Sequence, residues 1–280
     1  MSVSFAASAA LQLLSFRNAV ISTLRTAGCV FAEDEAELIL SAAGSPDELH
    51  AMVDRRAAGQ PLEHVVGWAE FRGLRIAVDP GVFVPRRRTE FLVQQAVSHA
   101  LGRGPDVVAV DLCCGSGALG AALVAGVGEA GGGRGVELYA ADIDPAAVRC
   151  ARRNVAASGG RVLEGDLYAP LPAALRGRVD VLLANAPYVP TDAIGLLPAE
   201  ARVHEARVAL DGGPDGLDVQ RRVAAGAARW LAPGGHLLME TSERQASRTV
   251  EVFAGGGLEA AVVHCEDLGA TVAIGTLPQR

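Results

Sequence analysis

Apolar and polar positions change their period twice along this chain. Up to about residue 60 the spacing is helical: Leu11, Leu14, Ile21 and Leu24 lie three and seven residues apart and predict one buried helix face. "EDEAELILSAAG" (33–44) predicts a second helix and "SPDELHAMVDRRAAG" (45–59) a third. The third carries its own start signal, with Ser45 as cap, Pro46 at the first helical position and Glu48 three residues after the cap. From 62 to 84 the text turns to short alternating runs with Gly73 and "DPG", which predict a hairpin. After residue 88 near-continuous apolar runs take over: "DVVAVDL", "VELYAAD", "RVLEG", "VDVLLAN" and "GHLLMET". "PAAVRCARRNVAAS" predicts a helix between the second and third of them. Apolar strands alternating with helices imply a parallel sheet covered on both faces. The tail, "LEAAVVHCEDLGATVAIGTL", predicts two strands joined by a short loop, so the sheet ends on an antiparallel member. The glycine-rich 130–135 stretch reads as a loop without assigned function. The expected division is a helical domain over 1–61, a hairpin linker over 62–87 and an α/β domain over 88–280.

Composition narrows the function classes. Half of the 280 residues are apolar, enough for a sizeable core. A net charge of −7 argues against broad, non-specific nucleic-acid binding, although "PRRRTE" at 85–90 is a local basic run. The five cysteines are scattered, without metal-ligand spacing or a disulfide framework. The first twenty residues lack a basic leader pattern and no run is long enough to span a bilayer, so a soluble cytoplasmic protein is expected.

"VVAVDLCCGSGALG" is a strand running into a glycine-rich turn and then a helix. In an open α/β sheet, ligands bind at the carboxyl ends of the strands, where such turns lie. Gly115 and Gly117 let backbone approach a ligand, and the following helix offers free N–H groups to an anion. Asp142 ends the next strand, where a carboxylate can accept both hydroxyls of a ribose. Two cofactors fit. Gly115, Gly117 and Gly120 satisfy the dinucleotide pattern, while Asp111 through Gly117, with Cys113, Cys114 and Ser116 between, suits an adenosylmethionine loop. The two cysteines are read as small turn residues, since no base is visible beside them.

"LLANAPYVP" (182–190) places Asn185, Ala186, Pro187 and Tyr188 at the end of the fourth strand, on the cofactor edge. A carboxamide nitrogen is a poor nucleophile because its lone pair is delocalised. The Asn185 side-chain oxygen and the Ala186 carbonyl can each accept one N–H of an –NH₂ group, leaving the lone pair aimed at a methyl donor. Tyr188 can cover the planar amide and face a sulfonium charge.

On these residues the chain resembles the protein-(glutamine-N5) methyltransferases that modify peptide chain release factors, over most of its length. "NAPY" is similar to the family's Asn-Pro-Pro-Tyr, with Ala186 in place of a proline. "GQPLEHVVGWAEFRG" is similar to its linker segment and "VALDGGPDGLD" to its post-site loop. "DLCCGSG" matches the cofactor motif except at Cys113, where glycine is usual. "PRRRTE" keeps Pro85, Arg86, Thr89 and Glu90 but replaces a proline and an acid with Arg87 and Arg88. The resemblance implies a Rossmann-like class I methyltransferase sheet with S-adenosylmethionine as cofactor. It implies cofactor contacts from Asp142, Asp166 and Leu167, with Asn185 between cofactor and acceptor and Arg86 on the substrate side. The small helical domain would bind the protein partner.

The leading expectation is therefore methylation of a protein glutamine, with Asn185, Ala186, Pro187 and Tyr188 as the catalytic segment. A second keeps the cofactor and moves the acceptor to a small metabolite amide or amine. Adenine methylation in DNA fits the segment but not the acidic charge. A nicotinamide oxidoreductase would leave "NAPY" unexplained, and a non-catalytic binding protein would keep only the fold. His64 and His204 are given no role. Glu240, closing "LLME", is read either as pointing into the cleft or as capping its strand.

Overall fold

The computed structural model describes residues 2–130, 132 and 134–279, with side chains from Leu14 onward. In chain order it contains α1 (Ser2–Thr26), α2 (Ala32–Ala42), α3 (Pro46–Ala57), α4 (Leu62–Val66), β1 (Trp68–Phe71) and β2 (Leu74–Ala77). There follow α5 (Glu90–Leu101), β3 (Asp106–Leu112), α6 (Ala118–Ala130), β4 (Gly135–Asp142), α7 (Pro145–Val155), β5 (Arg161–Glu164) and β6 (Val179–Ala184). Last come α8 (Ala199–His204), α9 (Asp218–Trp230), β7 (Leu231–Thr241), α10 (Ala246–Gly255), β8 (Glu259–Cys265) and β9 (Ala270–Thr276).

Two compact units divide the chain: residues 1–68 with 198–204, and 69–197 with 205–280. The first is helical. Ile21 and Leu24 of α1 pack with Ala36 and Ile39 of α2 and with Met52 and Val53 of α3. Leu14 departs from the expected apolar face and is exposed, while the side chain of Leu11 lies outside the described residues. Ser45 caps α3 by accepting the Glu48 N–H at 3.2 Å. The Glu48 carboxylate reaches one residue further back than a capping box requires and accepts from Gly44 N at 2.8 Å. Arg56 is held by Glu35 at 2.6 Å and by Glu200 of α8, also at 2.6 Å. That double pairing fastens 198–204 to this unit.

The expected 62–84 hairpin is shorter than its text suggests, because residues 62–66 form a helical turn that ends on Gly67 in the left-handed region. The hairpin itself is β1–β2, joined by Arg72 (φ 49°) and Gly73 (φ 76°). Positive φ at both turn positions matches the strand twist.

The second unit carries a seven-stranded sheet in the order β5-β4-β3-β6-β7-β9-β8. β5, β4, β3, β6 and β7 run parallel, and β9 is antiparallel to both β7 and β8. Buried side chains form a core on each face, as the unbroken apolar runs require. The strand order reverses direction between β3 and β6, so the loops after these two strands flank the crevice where such sheets bind ligands. Asn154 of α7 secures the hairpin beside it: its oxygen accepts from Ala77 N at 2.9 Å, and its nitrogen donates to the carbonyls of Ala77 and Ser116, both at 2.8 Å.

Candidate active site

Past β3 the chain turns sharply over 113–117. Gly117 N–H donates to Cys114 O at 2.7 Å, and Cys114 N–H donates to Ala141 O at 3.2 Å, tying the turn to β4. Gly117 has φ 77°, and a Cβ there would stand 3.0 Å from Cβ of Ala151 on α7. Cys113 takes φ 53° without being glycine, a strain of about 1–2 kcal/mol. Glycine adopts that backbone without strain. Leu167, past β5, is likewise left-handed at φ 49°. Two strained residues thus border one crevice, as functional sites often show. Burial pushes both the Cys113 and the Cys114 thiol well up, so they stay protonated.

Asp142 ends β4 with one oxygen accepting Gly115 N–H at 2.8 Å and the other Asp144 N–H at 2.9 Å. Each oxygen retains a lone pair for a further donor. Burial raises the pKa of this carboxyl, with the backbone donors opposing. Asp166 pairs with Arg222 of α9 at 2.5 Å, both half-exposed. Asp111 is buried in β3; Oδ2 accepts Gly120 N–H at 3.0 Å, while Oδ1 has no partner among the described residues. Burial foremost, with a contribution from Asp142, pushes its pKa up to about 7. The orphaned buried oxygen leaves an acceptor open to a donor from outside the chain.

β6 ends at Ala184, and its register with β7 pairs Ala184 with Met239. Asn185 and Glu240 therefore follow at the same level on the same edge. No described residue hydrogen-bonds the Asn185 carboxamide or the Ala186 carbonyl. Ala186 is buried in the core face beneath. The post-site loop backs this segment from 187 onward. Val189 N–H donates to Leu210 O at 3.1 Å, Gly212 N–H to Val189 O at 2.9 Å, and Thr191 N–H to Gly213 O at 2.9 Å. Gln245 bridges the two strips, its amide donating to Tyr188 O at 3.0 Å and Asp215 O at 3.1 Å while Ser242 donates to its oxygen at 2.6 Å.

Around the Tyr188 phenol the structure gathers charge. Its hydroxyl donates to Glu240 Oε1 at 3.1 Å and accepts from Arg88 Nη2 at 2.5 Å. Arg88 Nε also donates to Glu240 Oε1 at 2.9 Å, and Thr89 Oγ1 donates to Oε2 at 2.5 Å. Burial first, then Glu240, raises the Tyr188 pKa well above the ordinary phenol value. Glu240 thus faces the loop after β6, one of the two readings its position allowed.

A model described as "Methyltransferase small domain" matches residues 73–216. The release factor glutamine methyltransferase of Mycolicibacterium smegmatis is 39% identical over 256 residues, covering 85% of this chain and 88% of that protein. That of Moorella thermoacetica is 42% identical over 221 residues, covering 77% and 73%. The chain belongs to the release factor glutamine methyltransferase family. This methyltransferase shares its fold with a solved methyltransferase from Pyrococcus furiosus, at TM-score 0.52 and 17% identity over 74% of this chain and 90% of that one. The expected class I sheet with a helical N-terminal region is what the structure shows, and the cofactor is S-adenosylmethionine. The nicotinamide alternative is thereby excluded.

Hydrogen bonds join the expected 113–117 turn to β4 and to Asp142, while in the Asn185–Tyr188 segment only the Tyr188 side chain bonds to Arg88 and Glu240. Arg86 lies apart from this network. Its guanidinium pairs with buried Glu205 at 2.5 Å and sits 5.0 Å over the Phe83 ring. Sequence reasoning did not single out Gln245 or Arg222, named Thr89 only as a motif match, and read Arg88 together with Arg87 only as a departure from the motif. Only Glu240 carried a signal, an acid ending an apolar strand on the ligand edge.

Among the described residues no helix is long and apolar enough to cross a membrane.

Proposed function

We propose that this chain transfers a methyl group to the side-chain amide nitrogen of a glutamine in a protein, with a peptide chain release factor as the first candidate acceptor. Curated relatives bear that activity in their names. The observation that carries the reading is the pair of uncommitted acceptors, Asn185 Oδ1 and Ala186 O, at the ligand edge of β6.

The residues fit the cofactor. The unpartnered Asp111 Oδ1 suits a cationic amino group, Asp142 keeps lone pairs for ribose hydroxyls, and the turn at 113–117 carries no side chain at Gly115 or Gly117. Asp166 and Leu167 would border the base, with Cys113, Cys114 and Ser116 completing the loop. When bound, S-adenosylmethionine supplies a methyl on a sulfonium, electrophilic enough to react with a weak nucleophile.

Asn185 and Ala186 would take the two amide N–H groups and hold the nitrogen lone pair off the amide plane. Tyr188 closes over the amide, and Pro187 limits the backbone between them. Positioning of this kind is worth up to about 7–11 kcal/mol of barrier. No strong base is required, because the alkylated nitrogen is acidic and sheds its proton to water. Glu240 is already bound by three donors, which makes it a support for Tyr188 rather than a base. Arg86, with about a third of its side chain exposed, remains the substrate-side cation, and the helical unit is the surface offered to the protein acceptor. Five unpaired cysteines suit a reducing, cytoplasmic compartment.

The test is methyl transfer from labelled S-adenosylmethionine to purified release factors of the same source, with mass spectrometry locating the methyl. Modification of a glutamine side chain of the release factor is expected. Asn185→Ala should abolish turnover and spare cofactor binding. Transfer to a small amide or amine but to no protein would overturn the acceptor, and an unimpaired Asn185→Ala would overturn the mechanism.

A further inference from the structure

Arg87 and Arg88 stand side by side in one basic run, yet only one has work to do at the site. Arg87 is exposed. Arg88 uses two edges of its guanidinium at once: Nε holds Glu240 at 2.9 Å and Nη2 holds the Tyr188 hydroxyl at 2.5 Å. The Tyr188 hydroxyl in turn reaches the same Glu240 oxygen at 3.1 Å, which closes a ring of three hydrogen bonds. Thr89 occupies the other Glu240 oxygen at 2.5 Å. The Glu240 side chain is 3% exposed, against 47% for Arg88, so the carboxylate is a fixed anchor and the arginine is its outer clasp.

We propose that Arg88 is a positioning residue for methyl transfer: by clasping Tyr188 against Glu240 it presets the aromatic wall of the acceptor site. The inference rests on the reading of Asn185–Tyr188 as the acceptor site. Guanidinium can only donate, so the Tyr188 proton must point at Glu240. The phenol is then tethered at its far end while Gln245 holds its backbone carbonyl at 3.0 Å. A side chain pinned at both ends keeps its face at one angle to the crevice.

A salt bridge that merely neutralised Glu240 would behave differently, and lysine separates the two. Lysine restores the charge, but a single ammonium does not reproduce the planar two-edged contact. Arg88→Lys should keep the wild-type melting temperature yet lower kcat about tenfold, the size expected for one charged hydrogen bond. In a Tyr188→Phe background the same change should cost nothing further. Arg87→Ala is the surface control. Wild-type kcat in Arg88→Lys, or losses that multiply in the double variant, would overturn the proposal.

A second readout does not depend on turnover. The chain has three tyrosines, so 3-fluorotyrosine labelling gives three fluorine resonances, and Tyr188→Phe identifies one of them. Arg88→Lys should shift and broaden that resonance and leave those of Tyr139 and Tyr168 in place. An unmoved resonance overturns the clasp. A moved resonance in an enzyme that methylates no glutamine keeps the clasp and overturns the acceptor assignment.

Discussion

At Gly216 of the post-site loop an added Cβ would crowd the catalytic segment, so alanine there is a sharp perturbation. A Cβ would stand 2.3 Å from Tyr188 O and 2.5 Å from Gln245 Nε2, roughly 1 Å short of ordinary contact. Its φ of 76° adds backbone strain. The strain costs about 1–2 kcal/mol. Displacing Gln245 also breaks its bonds to Tyr188 O and Asp215 O, at about 1 kcal/mol each. Gly216→Ala should therefore destabilise by roughly 3–4 kcal/mol. Gly159→Ala is the matched control, with φ 68° and nothing within 4 Å of the added carbon, so it should lose only the strain.

Urea unfolding of both variants reads the difference, and kcat is measured where both are fully folded. Because the yielding atom is Tyr188 O itself, Gly216→Ala should also lose on the order of 10²-fold in kcat, the cost of a displacement of about 1 Å at a reacting centre. Gly159→Ala should keep its rate. Equal stability losses in the two variants, with kcat retained in Gly216→Ala, would refute the view that the 211–216 loop sets the catalytic segment.

Buried Asp111 and half-buried His236 pull stability in opposite directions over one pH window. Asp111, raised to about 7 chiefly by burial, favours the cofactor-free fold when protonated; that contribution is present below about pH 4 and is lost as pH rises towards 7. Asp111→Asn should be more stable than the wild type at pH 7.5 and show a flatter profile by urea unfolding; an unchanged slope between pH 4.5 and 7.5 would refute this. His236, lowered to about 4 by burial first and then by His99 and Arg103, favours the fold when neutral. Its contribution is complete above about pH 6.5 and is lost as pH falls towards 4. His236→Gln should lose less stability than the wild type between pH 7 and 4.5, and an equal loss would dismiss the effect. Because the two trends partly cancel, the single variants report each group and the wild-type profile reports neither.

What the sequence made legible follows from how local each cause is. Strands buried on both faces must be apolar throughout, so "DVVAVDL" and "VDVLLAN" declare β3 and β6 nearly to the residue. Ser45 and Pro46 announce α3 because capping is decided within four residues. "LEHVV" fails that test. One helical turn has no period to detect, and what ends it is the positive φ of Gly67, a conformation that composition does not print. Leu14 fails differently, since its spacing is helical but its face is exposed.

The site divides along the same line. Asn185 and Asp142 could be placed from sequence because each ends a strand, and in a parallel sheet strand ends share an edge. Cys113 could be flagged as a departure, but its meaning lies in a φ of 53° that only the turn reveals. Arg88 stands 100 residues from Tyr188 and 152 from Glu240, and nothing in "PRRRTE" separates it from Arg87. What separates them is the register that sets Glu240 level with Asn185 and the short turn before α5 that delivers residue 88 above both. A charge run therefore conveys only that cations are present. Which of them reaches the chemistry is decided by the sheet, and a substitution at position 88 should be judged by its reach to Glu240 and Tyr188 before its charge is counted.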